Sequence, residues 1–292
     1  MASLNIDPAF FRRLERLALV SGRLGLADRK GERRAATRGT SIEFADFREY
    51  HFGDDLRFVD WNACARLDKL FIKLFHEETS LRVHLLIDNS ASMDFGSPNK
   101  LDLARRLAAA LSYIALSRLD EVTVSWLGSR RGGLEPCRGQ GGIHGVIRFL
   151  NERPAATSFH LSEELEMYSR RSARNALAVV VSDFLDADGI ERGVRALLHR
   201  KYQVSLVQIL SPEELNPHFG GDLLLEDSET GATIDVTASP RLFERYRQAL
   251  LEHNQSIEKV AREHGLSHAL VSTATPDDEI FLRILRARGV VR

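Results

Sequence analysis

Cysteine is nearly absent from this sequence. Only Cys64 and Cys137 occur among 292 residues, far apart and without a CxxC pair, which argues against a disulfide framework or a structural zinc site and favours an intracellular setting. No stretch approaches the roughly 18 consecutive apolar residues of a transmembrane helix. The opening segment, residues 1–22, carries charges where a signal peptide would be apolar. We therefore expect a soluble, cytoplasmic protein without a membrane span.

The sequence also lacks an excess of either charge. Lys and Arg number 40 against 41 Asp and Glu, so the overall charge does not steer the chain toward nucleic acid or an anionic membrane. The arginine-rich stretch 23–38 is open to two interpretations, a phosphate or nucleic-acid patch and a solvated loop. Asp28 and Glu32 dilute its charge and no aromatic residues interleave with it for base stacking. We favour the loop and expect no nucleic-acid partner.

Apolar runs alternate with helical patterns from about residue 80 onward. Such runs occur at 83–88, 122–127, 176–183 and 203–210. They are nearly continuous in Val, Ile and Leu, which predicts parallel strands buried on both faces. The expected fold class is α/β, with a doubly wound, mostly parallel sheet over residues 80–292 and a small β-hairpin insertion near 222–237. An amino-terminal helix and extension would occupy residues 1–79.

The first strong apolar run ends in oxygen-bearing side chains on alternate residues. In LLIDNSASMD these are Asp88, Ser90 and Ser92, and this spacing in an extended segment can turn all three toward one point. A carboxylate with two hydroxyls suits Mg²⁺ or Mn²⁺. A second run, ALAVVVSD, ends in Asp183, and ligands of doubly wound sheets bind at the carboxyl ends of strands. The alternative is a Ser/Asp turn that closes a loop or caps a helix; the second acid favours the metal.

This D-x-S-x-S pattern, with Met93 next, resembles the metal-ion-dependent adhesion site of von Willebrand factor A domains. The resemblance implies Mg²⁺ (or Mn²⁺) bound by the two serines, with a loop threonine and a strand-end aspartate completing the shell, partly through water. The residues that it implies as the metal site are Asp88, Ser90, Ser92, Thr157 and Asp183. Thr157 is the best candidate for the loop threonine, and Ser158 is the fallback.

A second resemblance lies upstream, in FREYHFGDDLRFVDWNACARLDKLFIKLFHEE (47–78). The residues that carry it are Arg48, Tyr50, Gly53-Asp54-Asp55, Arg57, Asp60-Trp61, Ala65-Arg66 and Lys73. This pattern is similar to that of a bacterial family, domain-of-unknown-function family 58, whose members look like partners of MoxR-type AAA+ ATPases. From the residues alone, GDDLRFVDW is either a contact surface, through Arg57 and Arg66, or a structural clamp with Trp61 buried. We favour the clamp.

These patterns together predict a metal-dependent protein-interaction module rather than an enzyme. The expected role is that of an adaptor or chaperone cofactor that works with a MoxR-type AAA+ ATPase or its client and binds a partner carboxylate through Mg²⁺. We expect no organic cofactor and no catalytic residue, because RGQGGIHG (138–145) fails the G-x-G-x-x-G pattern and no G-x-S-x-G motif occurs. The alternative is a metal-dependent phosphoester hydrolase.

Overall fold

The structure is a computed structural model. It describes residues 8–20, 42–52, 56, 59–61, 64, 69–77, 80–129, 133–155, 158–172, 175–186, 188–217, 220–228 and 230–292. Of the predicted metal residues, Thr157 lies outside this set, as do the arginine-rich stretch 23–38 and, within the upstream motif, Arg57 and Arg66.

Contacts within the chain divide it into two units. The larger comprises Met1–Ala27 and Leu81–Arg292, and the smaller comprises Asp28–Ser80. The amino-terminal helix, α1 (Pro8–Leu14), belongs to the larger unit rather than to an extension over residues 1–79. The reason is that Phe10 and Leu14 are buried in the main hydrophobic core.

The strands of the described residues are β1 (Ile42–Glu49), β2 (Phe71–Glu77), β3 (Arg82–Ile87), β4 (Glu121–Trp126), β5 (Cys137–Arg138), β6 (Leu177–Ser182), β7 (Gln203–Leu210), β8 (Asp222–Glu226), β9 (Thr233–Thr237) and β10 (Ser267–Ser272). Six of them form a sheet at the centre of the larger unit, in the spatial order β10-β7-β6-β3-β4-β5. All neighbours in this sheet are parallel except β4 and β5. The predicted α/β class with a mostly parallel sheet is confirmed, and β8 and β9 form the predicted hairpin.

The helices of the described residues cover both faces of this sheet. They are α1, α2 (Lys100–Ser117), α3 (Ile143–Asn151), α4 (Leu161–Arg171), α5 (Glu191–His199), α6 (Pro212–Leu215), α7 (Pro240–His264) and α8 (Asp277–Glu279), followed by a π-helical turn over Ile280–Leu285. Alternate residues of β3 enter two separate cores: Leu85 and Ile87 pack with α1–α3, and Leu86 packs with α4 and α5. In the described part of the chain, no helix combines the length and the apolar character that crossing a membrane requires.

The order of the strands places a topological switch between β3 and β6. From β3 the chain moves to β4 on one side, and β6 then returns to pair with the other side of β3. Helices that leave adjacent strands in opposite directions leave a crevice at the carboxyl ends of those strands. Asp88 and Asp183 follow directly after β3 and β6, so the two predicted acids flank this crevice.

The smaller unit contains an antiparallel pair, β1 and β2. Trp61 does not have the buried position that the clamp interpretation requires, because its side chain is 66% exposed. Phe52, Leu56 and Leu70 are exposed as well. The expectation of a buried Trp61 is therefore wrong, since nothing in the order of the GDDLRFVDW residues specifies which face of the segment is covered.

We expect Trp61→Ala to change the free energy of unfolding by only about 0.5 kcal/mol, the range of surface substitutions. Ile72, which is 6% exposed in the same unit, is the matched control, and Ile72→Ala should cost about 2–5 kcal/mol. Urea unfolding followed by circular dichroism measures both without relying on tryptophan fluorescence. A loss of 3 kcal/mol or more for Trp61→Ala would restore the clamp.

A buried histidine lies in the middle of β3. The Nδ1 atom of His84 is 2.6 Å from the hydroxyl oxygen of Tyr168, and the ring packs edge-on against Tyr168 and Tyr202. Burial, and then the charge of Arg82, lower the pKa of His84 from 6.5 to about 4. The folded protein therefore holds this imidazole neutral at pH values where the unfolded chain protonates it.

This difference predicts that His84 contributes a loss of stability as the pH drops from about 6.5 to about 4. The unfolded state takes up a proton at this residue that the folded state excludes, and a gap of this size corresponds to about 3 kcal/mol at full protonation. Asp88, whose pKa the folded state raises to about 6, contributes in the opposite direction, so the effect of His84 is read from the difference between wild type and variant. His84→Phe should become more stable relative to the wild type as the pH falls through this window, and the same change at the exposed His144 should leave the profile unchanged. Urea unfolding at a series of pH values gives the comparison; identical pH profiles for wild type and His84→Phe would contradict this explanation.

Candidate metal centre

The turn after β3 holds the carboxylate of Asp88 in a fixed orientation. Its Oδ1 accepts a hydrogen bond from the backbone N–H of Ser90 at 2.8 Å, and its Oδ2 accepts one from the hydroxyl of Ser182 at 2.5 Å. The hydroxyl oxygens of Ser90 and Ser92 lie 2.9 Å apart. Ser90 precedes the short 3₁₀ turn Ala91–Met93, yet its side chain makes no capping hydrogen bond. The hydroxyls are thus paired with each other rather than used to close the helix end.

The end of β6 supplies the second carboxylate. Asp183 is 2% exposed; its Oδ1 accepts from the backbone N–H of Leu185 at 3.2 Å, and its carbonyl accepts from Gln208 at 3.1 Å. The next residue, Phe184, has φ of 56°, a left-handed conformation that costs a bulky residue on the order of 1–3 kcal/mol. Its side chain is buried and its carbonyl lies 2.8 Å from His253 Nε2. Surrounding contacts therefore maintain a strained turn at this strand end.

Burial and a neighbouring charge act on Asp88. Burial, and then the charge of Asp183, raise the pKa of Asp88 from 3.8 to about 6, although hydrogen bonds from Ser182 and Ser90 act in the opposite direction. Loss of hydration and a nearby negative charge both disfavour the ionised form of a carboxyl group. A cation bound beside Asp88 would favour that form.

A lysine that is not among the predicted site residues reaches the carboxylate of Asp183. Lys100, the first residue of α2, is fully buried. Its Nζ donates to Asp183 Oδ2 at 2.7 Å and to Glu214 Oε1 at 2.5 Å. Glu214 belongs to α6, and its other oxygen accepts from the backbone N–H of Ser211 in a capping box. The ammonium therefore joins the end of β6 to a helix beyond β7.

An arginine joins the loop before Thr157 to the aspartate turn. The side-chain amide of Asn89 donates to the carbonyl of Ala155 at 2.9 Å, and Arg153 donates both to Asn89 and to Asp94, each at 2.9 Å. Ser158, the fallback for the loop threonine, lines the same cleft as Asp88. The described residues on either side of 156–157 therefore lie at the site. The role of Thr157 itself stays a prediction.

The predicted site residues that the structure describes lie in one cleft of about 830 Å³. Among its described lining residues are six carboxylates and no lysine or arginine. The lining comprises Asp88, Ser90, Ser92, Phe95, Ser158, Phe159, His160, Leu161, Ser182, Asp183, Leu185, Asp186, Glu214, Glu226, Asp227, Ser228, Thr230 and Tyr246. The structure therefore brings together four of the five predicted metal residues.

The donor set suits a hard divalent cation. Asp88, Ser90 and Ser92 offer oxygen atoms of the type that Mg²⁺ and Mn²⁺ prefer. Lys100 pairs with Asp183 and Glu214, and together with Asp88 these groups carry a formal charge of −2 when all four are ionised. A divalent cation bound beside Asp88 would favour the charged form of its carboxyl group.

A second group lies at the same cleft. The Nδ1 atom of His160 is 3.0 Å from a carboxylate oxygen of Asp188 and 3.7 Å from one of Asp186, and the three side chains are close enough to share an ion. Asp186 already accepts from the backbone N–H groups of Leu161 and Asp188, while His160 and Asp188 are exposed. The protein's own hydrogen bonds account for this group, and we assign no ion to it.

Comparison with known proteins identifies relatives but no activity. The model of a family described as "Protein of unknown function DUF58" matches residues 46–256. An uncharacterized protein of Mycobacterium tuberculosis is 28% identical over 249 residues, which cover 82% of this chain and 77% of the relative. Two solved structures are similar at 16% identity: the conserved hypothetical protein BatB from Bacteroides thetaiotaomicron (TM-score 0.37, 63% of this chain and 100% of that one) and an aerotolerance-related membrane protein from Bacteroides fragilis (TM-score 0.43, 71% and 100%).

Proposed function

This chain belongs to the DUF58 family, and from that premise we propose that it is a metal-dependent protein-interaction module with a von Willebrand factor A-like domain. Mg²⁺ or Mn²⁺ would bind at Asp88, Ser90 and Ser92, with Asp183 and Thr157 completing the shell. The observation that carries the proposal is the convergence of Asp88, the paired serine hydroxyls and Asp183 in one cleft at the switch point of the sheet. We place the module in the cytoplasm, as the scarcity of cysteine favours.

Each residue has a distinct task in this proposal. Ser182 and the N–H of Ser90 hold the Asp88 carboxylate, so it needs no reorientation to meet a cation. The hydroxyls of Ser90 and Ser92 carry no charge and would bind the metal without neutralising it. When bound, the metal would offer an open coordination position to an anionic ligand. The partner would supply that ligand as an Asp or Glu side chain.

The partner class rests on the family resemblance. Members of the family look like partners of MoxR-type AAA+ ATPases, and we propose that this chain acts as an adaptor or chaperone cofactor for such an ATPase or for its client. The cleft supports a protein partner, because about 830 Å³ bordered by the hairpin β8–β9 leaves room for a protruding peptide segment. No residue in this role breaks a covalent bond, so the proposal is not an enzyme.

The alternative, a metal-dependent phosphoester hydrolase, draws on one observation. His160 lines the cleft close to Asp188, and a histidine oriented by a carboxylate is a common general base. A screen of phosphoester substrates with Mg²⁺ separates the two functions. Turnover lost in both Asp88→Asn and His160→Gln would favour the hydrolase, and its absence from the wild type favours the interaction module.

The first test of the metal site is thermal unfolding with and without MgCl₂. An ion that binds the folded state alone stabilises it by about 2.7 kcal/mol at a hundredfold excess over Kd, so the wild type should melt at a higher temperature in Mg²⁺. Asp88→Asn keeps the shape of the side chain but removes its charge, and should lose the shift. Asp188→Asn, at the exposed carboxylate next to His160, is the matched control and should keep it. A wild-type melting curve unmoved by millimolar Mg²⁺ would refute the site.

The second test concerns the open coordination position. If a partner carboxylate completes the metal shell, Asp88→Asn should abolish capture of the co-expressed AAA+ ATPase or client, and EDTA should abolish it for the wild type. Excess Mg²⁺ should restore binding to the wild type only, because the variant has no site to refill. Equal affinity in all four conditions would leave the cluster as a structural turn.

A further inference from the structure

The buried ammonium of Lys100 is the most unusual group near this site. It has no exposed surface and lies against two carboxylates contributed by separate elements, Asp183 at the end of β6 and Glu214 in α6. Its Nζ is also 5.8 Å from the centre of the Phe95 ring, a cation–π distance. All three of these neighbours line the metal cleft. The ammonium thus lies directly behind three residues that line the cleft.

Local helix energetics do not favour a cation at this position. Lys100 is the first residue of the 18-residue helix α2, after the Asn99 cap, and the positive end of a helix dipole disfavours a cation. Burying an ammonium is also unfavourable unless carboxylates compensate it. Its position is therefore determined by Asp183 and Glu214. The ammonium therefore stays beside the cleft despite the helix dipole and despite its burial. Its positive charge would repel any cation that binds in the cleft.

We propose that Lys100 is a resident cation that sets the affinity of the centre for divalent metal. This inference rests on the proposed metal site and deepens it. With its ammonium charged, Lys100 offsets one of the three carboxylates, so the metal would meet a cluster of −2 rather than −3. It keeps the carboxylates compensated before metal arrives, and it weakens metal binding by repulsion. Glu214 contributes by charge and by holding the ammonium, without serving as a metal ligand.

The chain offers a set of variants that vary this charge in steps. Lys100→Met removes the ammonium and leaves −3, Glu214→Gln leaves −1, and the double variant returns to −2. Glutamine also suits the third helix position of a capping box, so Glu214→Gln should retain the start of α6. The four proteins therefore separate the effect of charge from the effect of losing a side chain.

The measurement is the affinity for Mg²⁺, and in parallel Mn²⁺, by titration calorimetry, with melting temperatures in EDTA and in MgCl₂. We expect Lys100→Met to bind Mg²⁺ at least roughly tenfold more tightly than wild type, since a unit charge near a divalent ion is worth more than 1 kcal/mol at protein dielectric. Glu214→Gln should bind at least roughly tenfold more weakly. The double variant should match the wild type within a few-fold. In EDTA, Lys100→Met should melt at the lowest temperature and gain most from Mg²⁺.

Other results would overturn either the role of Lys100 or the metal site. Equal Mg²⁺ affinity in all four proteins overturns the role of Lys100 while the metal site stands, and no Mg²⁺ binding by the wild type refutes the site itself. A double variant as weak as Glu214→Gln overturns the inference as well, because it makes Glu214 a direct ligand. If Lys100→Met does not fold, recovery of affinity from Glu214→Gln to the double variant still decides the question.

Discussion

The arrangement of the site depends on two carboxylates buried at the ends of adjacent parallel strands. Parallel pairing of β3 with β6 brings their carboxyl ends side by side, and each strand continues directly into an aspartate. In water two such groups would repel each other weakly, but in this crevice burial and proximity raise the pKa of Asp88. The surrounding structure supplies the hydrogen-bond donors and the lysine ammonium that stabilise the two buried carboxylates.

The compensation comes from distant parts of the sequence. Ser182 and the N–H of Ser90 bind Asp88, while Lys100 binds Asp183. Arg153 fixes the turn after β3 from outside through Asn89 and Asp94. Each of these contacts is made by the protein itself, so the cleft keeps its shape through internal bonds. Ion binding would then change the charge of the cleft more than its geometry, which suits a site that presents a metal to a partner.

The sequence was sufficient to predict the parts of this site that follow from strand ends. Asp88 and Asp183 lie after apolar runs, and the switch-point rule for doubly wound sheets brings such ends together. Lys100 was not predictable in the same way, because its partners lie 83 and 114 residues further along the chain and a lysine at a helix start has no distinctive pattern. One sequence signal was available. Ser211 and Glu214 form a capping box directly after β7, which places another acid at the same edge of the sheet.

The exposure of Trp61 could not be predicted from the sequence, for a related reason. A tryptophan beside charged residues fits a buried clamp and an exposed contact equally well, and only the fold of the segment decides which face is covered. For Ser90 the structure bears on one of the alternatives, the helix cap. A serine that served only to close the turn would cap the helix end with its hydroxyl, whereas Ser90 makes no such bond and pairs its hydroxyl with Ser92. The contact that closes the turn is the hydrogen bond that the backbone N–H of Ser90 donates to Asp88. The convergence of the two hydroxyls beside a buried carboxylate is the arrangement on which the proposed metal site rests.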